Sequence, residues 1–144
     1  EELYSLRSVL EVFAVRRIIE QDEPEDVEIL RQHYAAMLQA AGEGDIRRLN
    51  HEDRAFHGAL IELSRHQLLM QMWSMVSLRV RQVMALLNER NTDLRQVAHN
   101  HEPLLDAIAA GDEDRAVALI QRHIGNTGQL IAEGWIEPAP DANE

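Results

Sequence analysis

Four ionisable side chains stand at positions where a helix would turn them towards a protein core. Asp53 and His57 are four residues apart, which places both on one side of an α-helix, and Asp53 itself occupies a position of the apolar stripe. His101 and His123 each stand in the apolar stripe of a later segment. Three separate helices are therefore predicted to send a carboxylate or an imidazole inwards.

This set of side chains has the composition of a transition-metal site. One carboxylate and three imidazoles supply one oxygen and three nitrogen donors, which suit Zn first, or Ni, Mn or Fe, and not Ca or Mg. On spacing alone a second interpretation stays open, in which each histidine is a hydrogen-bonded core residue. The other histidines stand at flanks, ends or polar positions and are interpreted as solvated: His33, His51, His66 and His99.

Two arginines also lie beside apolar stripes. Arg7 flanks the stripe of the first predicted helix, and Arg79 lies at the edge of the stripe of the fourth. The pattern by itself favours stems packed on the core with the charged heads in water. In the alternative, each guanidinium points into a pocket, where it can bind a carboxylate through two parallel hydrogen bonds.

Composition excludes several classes of protein. The chain has 144 residues, suited to one domain, and its net charge of −11 excludes a self-sufficient DNA-binding surface. The absence of cysteine excludes disulfides and thiolate metal sites and fits a cytoplasmic protein. No apolar run approaches the roughly 20 residues of a membrane-spanning helix. The sequence contains no glycine-rich phosphate loop, no Gly-x-Ser-x-Gly and no His-Glu-x-x-His.

Apolar residues recur with a helical period throughout, and nothing alternates as in a strand. The fold class is therefore predicted to be all-α, an antiparallel bundle of about six helices. The predicted helices cover about 2–21, 22–42 behind an Asp22 and Glu25 capping box, 45–65 behind Asp45, 67–90, 92–111 behind Thr92, and 112–134 behind Asp112. Residues 135–144 contain two prolines and no apolar period, which predicts a disordered C-terminal tail.

Two features conflict with ideal helices. Pro103 lies inside the fifth predicted helix and is expected to kink it. Gly125 and Gly128 lie inside the sixth, where each costs about 1 kcal/mol relative to alanine. They indicate either a close approach of another helix or simply a weak helix end.

Several motifs occur in an order that resembles a known family. They are Leu3-Tyr4-Ser5-Leu6-Arg7 with Leu10-Glu11, then Asp53-Arg54-Ala55-Phe56-His57, then His101 with Asp106-Ala107-Ile108 and Gly111-Asp112, and finally His123. This series resembles the C-terminal ligand-binding (FCD) domain of FadR-type regulators in the GntR family, over residues 2 to about 133. Six helices would correspond to the shorter, VanR-like branch.

The resemblance implies a site and a ligand. Many members bind a divalent metal through one Asp and three His, which by motif are Asp53, His57, His101 and His123. A small carboxylate effector lies beside the metal in such domains, and Arg7 and Arg79 become the expected effector contacts. The chain departs from the family where Gly-Asn usually follows the third helix, since Arg65 and His66 stand there.

The function expected from this resemblance is a metal-dependent small-carboxylate sensing domain of a transcription regulator. Residues 1–134 would form the effector-binding and dimerisation domain of a cytoplasmic homodimer without a membrane contact. DNA would be bound only through an N-terminal winged helix-turn-helix absent from this chain. The chain is expected not to be an enzyme. The alternatives are a metal-dependent hydrolase or lyase built in a helical bundle, and a structural bundle without a ligand.

Overall fold

The computed structural model describes residues 2–90 and 93–134, and within these ranges every regular element is an α-helix. The helices are α1 (Glu2–Gln21), α2 (Pro24–Glu43), α3 (Ile46–Leu63), α4 (Gln67–Arg90), α5 (Leu94–His99), α6 (Glu102–Ala109) and α7 (Glu113–Gly134). The predicted all-α class is confirmed. The predicted disordered tail, residues 135–144, lies outside the described residues.

The fifth predicted helix is divided into α5 and α6, so that the described residues contain seven helices where six are expected. The chain leaves α5 at Asn100 and enters α6 after His101, with Pro103 in the first turn of α6. A proline is tolerated there because first-turn amides have no partner within the helix. The expected kink is therefore a complete break, and His101 lies in it.

Side-chain caps fix three helix starts. As predicted, Asp45 accepts a hydrogen bond from a backbone N–H at the start of α3, at 3.0 Å, and Asp112 does so at the start of α7, at 3.1 Å. Asp93 caps α5, whereas the predicted cap Thr92 lies outside the described residues.

The capping box predicted at Asp22 and Glu25 is wrong. Helix α2 begins one residue later than that motif requires, with Glu23 as its N-cap residue and Pro24 in its first turn, and Glu23 makes no side-chain capping bond. Asp22 has a φ of 51°, which is the left-handed conformation of a residue that ends a helix. The acidic side chain therefore belongs to the turn after α1.

The core lies between α1, α2, α3, α6 and α7, and α1 packs against both α3 and α7. The largest fully buried apolar side chains come from α2, α3, α6 and α7: Leu30, Met37, Leu49, Phe56, Leu60, Ile61, Leu105, Ile120 and Ile124. Helix α1 adds the smaller buried residues Ala14, Val15 and Ile18. The same interior holds charged or polar side chains, which are described below.

An apolar surface runs along α1 and α4. Among the described residues, eight large hydrophobic side chains are exposed, and seven of them belong to these two helices: Leu6, Val9, Phe13, Leu68, Met72, Met75 and Leu78. We call these seven residues the α1–α4 face. The eighth, Ile29, lies on α2. Within the described part of the chain, no helix combines the length and hydropathy needed to cross a membrane.

Candidate metal centre

Helix α3 positions the first two residues of the centre. Asp53 and His57 lie one turn apart on its inner side, and both are buried. His101 is buried at the break between α5 and α6, and His123 lies partly buried on α7. The four side chains thus reach the same point from three directions, held by the α3 backbone, a helix break and α7.

The metal-binding atoms of these four side chains converge. Nε2 of His57 lies 3.4 Å from Nε2 of His101 and 3.3 Å from Nε2 of His123. Oδ1 of Asp53 lies 3.1 Å from Nε2 of His101 and 3.9 Å from Nε2 of His57. The ligand atoms of the three histidines all lie within 4.8 Å of one another, and Asp53 adjoins this group through His101 and His57. Their binding of a metal stays a prediction.

The hydrogen bonds at the outer nitrogens assign the tautomers of two imidazoles. Nδ1 of His57 lies 2.5 Å from Oε2 of Glu11, and Nδ1 of His101 lies 3.0 Å from the carbonyl oxygen of Val97. A carbonyl oxygen accepts and cannot donate, and an ionised carboxylate does the same. The proton of each ring is accordingly assigned to Nδ1, which leaves the lone pair of Nε2 facing the centre.

The chemistry of this donor set fits a cation. With the ring protons of His57 and His101 on Nδ1, their two Nε2 lone pairs face each other at 3.4 Å, and the lone pair of His101 also faces Oδ1 of Asp53 at 3.1 Å. Two ligand atoms held about 2.1 Å from one metal ion at angles of about 90–110° lie about 3.0–3.4 Å apart. The three shortest separations in the centre, 3.1, 3.3 and 3.4 Å, fall in that range.

The electrostatics of the centre favour metal-binding protonation states. Burial and the nearby Arg7 guanidinium lower the pKa of His57 well below its ordinary value. Burial, with His101 and His57 close by, does the same to the pKa of His123. Burial by itself raises the pKa of Asp53, but the neighbouring His101, with His57 and Arg7, holds it below its usual value. Neutral imidazoles and an ionised carboxylate are the forms that bind a metal.

Phe56 forms an apolar wall of the centre. It is fully buried, and its ring meets the rings of His57 and His101 edge to face, at centroid distances of 5.6 and 4.9 Å. Such contacts restrict how the imidazoles turn and keep water from one side of the site.

Arg7 points inwards, so its head does not lie in water as the pattern alone favours. The side chain is 1% exposed, and its Nε lies 2.5 Å from Oε1 of Glu11. Glu11, which is 0% exposed, is a functional candidate that sequence reasoning misses. The available signal is its position one helical turn after Arg7. Arg7, Glu11 and His57 therefore form a continuous buried chain of hydrogen bonds.

Arg79 has a different environment. It lies on the exposed side of α4, beside the buried Val80, and so it is not a member of the buried cluster. Its role as an effector contact stays a prediction.

The departure from Gly-Asn after α3 has a structural account. Arg65 has a φ of 51°, the left-handed conformation for which glycine is best suited. Its guanidinium binds both carboxylate oxygens of the buried Asp26, at 2.7 and 2.8 Å. His66 caps α4, where its Nδ1 accepts from the backbone N–H of Leu69 at 3.1 Å. Both residues thus fix the α3–α4 turn.

The remaining histidines lie nearer the surface. His51 and His99 are exposed, and the partly buried His33 pairs with Glu52 at 3.0 Å between Nδ1 and Oε2. That pairing engages Glu52 with a histidine outside the centre. It is therefore not a general base for the centre, which weakens the interpretation as a hydrolase or lyase.

The fold and the match to a family model now define the class of this protein. The family model of the FCD domain matches residues 2–126 of this chain. The chain therefore belongs to the FCD domain family. This confirms the family of GntR-type regulators expected from the motifs.

Curated relatives carry regulatory names. The chain is 26% identical over 123 residues to a probable D-xylose utilization operon transcriptional repressor of Paenarthrobacter nicotinovorans, covering 85% of this chain and 54% of that protein. It is 22% identical to the gluconate operon transcriptional repressor of Bacillus subtilis strain 168, covering 94% and 58%. It is 25% identical to the HTH-type transcriptional regulator LutR of the same organism, covering 95% and 64%.

A solved structure shares the fold. The Escherichia coli protein McbR/YncC aligns with a TM-score of 0.81 and 23% identity, covering 93% of this chain and 64% of that chain. The chain thus spans between 54 and 64% of the length of these proteins. The relatives are named as transcriptional repressors and regulators, which supports the predicted non-enzymatic role.

Proposed function

We propose that this chain is the metal-dependent effector-sensing domain of a transcription regulator, with DNA bound by a winged helix-turn-helix outside the 144 residues. The observation that carries the proposal is the convergence of His57, His101 and His123, with Asp53 beside them and with the proton-free nitrogens of His57 and His101 turned inwards. The names of the curated relatives support the regulatory part.

The four residues would hold one divalent ion, for which Zn²⁺ is the first candidate and Ni²⁺, Mn²⁺ and Fe²⁺ are the others. When bound, the ion would supply an electrophilic centre for an anionic oxygen donor. The residues themselves lie on α3, at the α5–α6 break and on α7, so that their geometry depends on how these elements pack.

The charges of the buried cluster explain why an acid would be recognised only with the metal present. Arg7 contributes one positive charge, and Glu11 and Asp53 contribute two negative charges beside neutral imidazoles. The centre by itself is therefore net negative and repels a carboxylate. A divalent ion reverses that sign, and a small organic acid then becomes the favoured ligand.

The two arginines differ as effector contacts. Arg7 is buried and close enough to influence the charge state of both His57 and His123, which makes it the better supported contact for a second carboxylate group. Arg79 is exposed on α4 and would have to turn towards the centre.

We further propose that the domain forms a homodimer through the α1–α4 face. Seven exposed large hydrophobic side chains on two neighbouring helices form the kind of surface that a subunit contact covers. A dimer also suits a regulator whose DNA-binding halves read two half-sites.

Thermal unfolding with a panel of mono-, di- and tricarboxylates tests the sensing function, with neutral sugars and amines as comparison ligands. We expect at least one acid to raise the melting temperature of the Zn²⁺-loaded protein and to have no effect on the chelated protein. The shift should shrink in Arg7→Ala. Equal stabilisation of the chelated protein by neutral compounds would indicate an apolar pocket and contradict the proposal.

A further inference from the structure

Glu11 occupies a place in the interior that packing does not explain. Its carboxylate is fully buried, and its two oxygens serve two different donors. Oε1 accepts from Nε of Arg7 on the same helix, and Oε2 accepts from Nδ1 of His57 on α3, each at 2.5 Å. A buried carboxylate is costly, and the Arg7 guanidinium offsets that cost by its charge.

The bond to His57 decides more than ring orientation. A neutral imidazole carries its proton on one nitrogen, and only the other nitrogen offers a lone pair to a metal. Edge contacts from Phe56 restrict the ring but do not choose between its nitrogens. The acceptor at Nδ1 makes that choice. For His101 the choice falls to the backbone carbonyls of Val97 and Ala98, which no side-chain substitution removes.

We propose that Glu11 is the positioning residue of the metal centre, holding the His57 proton on Nδ1 so that Nε2 faces Asp53, His101 and His123. Nε of Arg7 donates to the other oxygen, Oε1, and so holds the carboxylate group of Glu11 in place. The proposal rests on the proposed function for the presence of a metal, but the tautomer itself is a property of the metal-free protein.

Replacing the carboxylate of Glu11 by an amide tests whether this residue decides which nitrogen of His57 carries the proton. In Glu11→Gln the side chain keeps its shape but has one accepting oxygen and one donating NH₂ group. Nε of Arg7 always donates, so the amide oxygen faces Arg7 and the NH₂ group faces His57. Nδ1 of His57 must then accept, and the proton moves to Nε2, where it blocks the metal.

The experiment compares the wild type with Glu11→Gln and with a control on the same helix, Glu20→Gln. Glu20 is exposed and pairs only at the surface with Arg17. Long-range ¹H–¹⁵N correlation spectra of the metal-free proteins report the tautomer of His57. Zn²⁺ affinity is measured by competition with a chromophoric chelator.

We expect Nδ1–H in the wild type and in Glu20→Gln, and Nε2–H in Glu11→Gln. The Zn²⁺ dissociation constant should rise about 10- to 100-fold in Glu11→Gln, the usual effect of losing the hydrogen-bond partner of a ligating histidine. A change in packing alone would not move the proton between the two nitrogens.

Each other outcome is informative. An unchanged tautomer and unchanged Zn²⁺ affinity in Glu11→Gln would overturn the role of Glu11 and leave the proposed function standing. A wild type that binds no metal would refute the proposed centre, and Glu11 would then be judged on the tautomers alone. If Glu11→Gln does not fold, the wild-type spectrum decides, since an Nε2–H tautomer of His57 there contradicts the proposal.

Discussion

A histidine of the centre is either a metal ligand or a packed core residue. Substituting it separates the two roles, because loss of a ligand lowers metal affinity whereas loss of a core residue lowers stability. His123 is the most informative of the three central histidines, because it is only partly buried. His101 is fully buried and its ring bonds to the end of α5, so that its loss would also affect packing.

We expect His123→Ala to lose Zn²⁺ while keeping the helical circular dichroism of the wild type, because the ring supplies a ligand atom and little of the core. Its loss of affinity should exceed the roughly 10- to 100-fold effect of removing an outer hydrogen-bond partner of a ligand. His33→Ala and His99→Ala are matched controls near the surface. Equal metal loss in all three variants would refute the assignment.

The four central residues are predictable from sequence because an ionisable group in an apolar stripe is an anomaly that needs no coordinates to be seen. Glu11 is not predictable in the same way. A glutamate four residues from an arginine is the ordinary pattern of an exposed helix pair. Only the packing of α1 against α3 shows that Glu11 and Arg7 are buried and that Glu11 contacts His57.

At the scale of helices, local pattern predicts the type of element well and its interruptions less well. The apolar period continues across the fifth predicted helix, which is why one helix is expected there. The break arises from two neighbours in sequence: Pro103 removes a backbone donor, and the His101 ring takes carbonyls at the end of α5. The interruption thus places a buried imidazole at the end of a short helix.

Gly125 and Gly128 of α7 have different surroundings. The sequence allows either a close approach of another helix or a weak helix end at these positions. A Cβ atom built at Gly128 would lie 3.3 Å from Cβ of Tyr4 on α1, whereas one built at Gly125 would meet no atom within 4 Å. Gly128 therefore permits a close approach of α1 and α7. Gly125 has no such role and simply weakens the helix.

We expect Gly125→Ala to raise the free energy of unfolding by about 0.5–1 kcal/mol, since alanine loses less backbone entropy in a helix. Gly128→Ala has the same gain but forces Tyr4 to move, and overpacking of this kind costs about 1–3 kcal/mol. Urea unfolding of both variants measures the difference. Equal stabilisation by the two substitutions would contradict the described contact between α1 and α7.

At the scale of the whole molecule, the sequence predicts wide apolar faces on α1 and α4 but does not say which part of them is covered. Met72 and Leu69 are both apolar residues of α4, but Met72 is 41% exposed while Leu69 is buried. When a helix has apolar residues on two sides, its sequence does not show which side packs in the core and which side forms an interface. Only the positions of the neighbouring helices make that distinction.

We expect Met75→Glu to convert a dimer into a monomer, because Met75 is 80% exposed on the α1–α4 face and a charge there would be buried by a partner. Ile29→Glu is the matched control, an exposed apolar residue on α2 outside that face. Sedimentation velocity at micromolar concentration measures the change. A wild-type monomer, or a dimer in both variants, would contradict the proposed interface.

The proposed sensing function depends on one property of the chain, namely that Asp53, His57, His101 and His123 hold a metal ion. Titration of the metal-stripped protein with Zn²⁺, followed by binding and by thermal unfolding, tests this directly. We predict one ion per chain and a rise in melting temperature that EDTA reverses, because an ion bound only to the folded state stabilises it by about 4 kcal/mol at a thousand-fold excess over the dissociation constant. The absence of binding and an unchanged melting curve with saturating Zn²⁺, Ni²⁺, Mn²⁺ and Fe²⁺ would contradict the account.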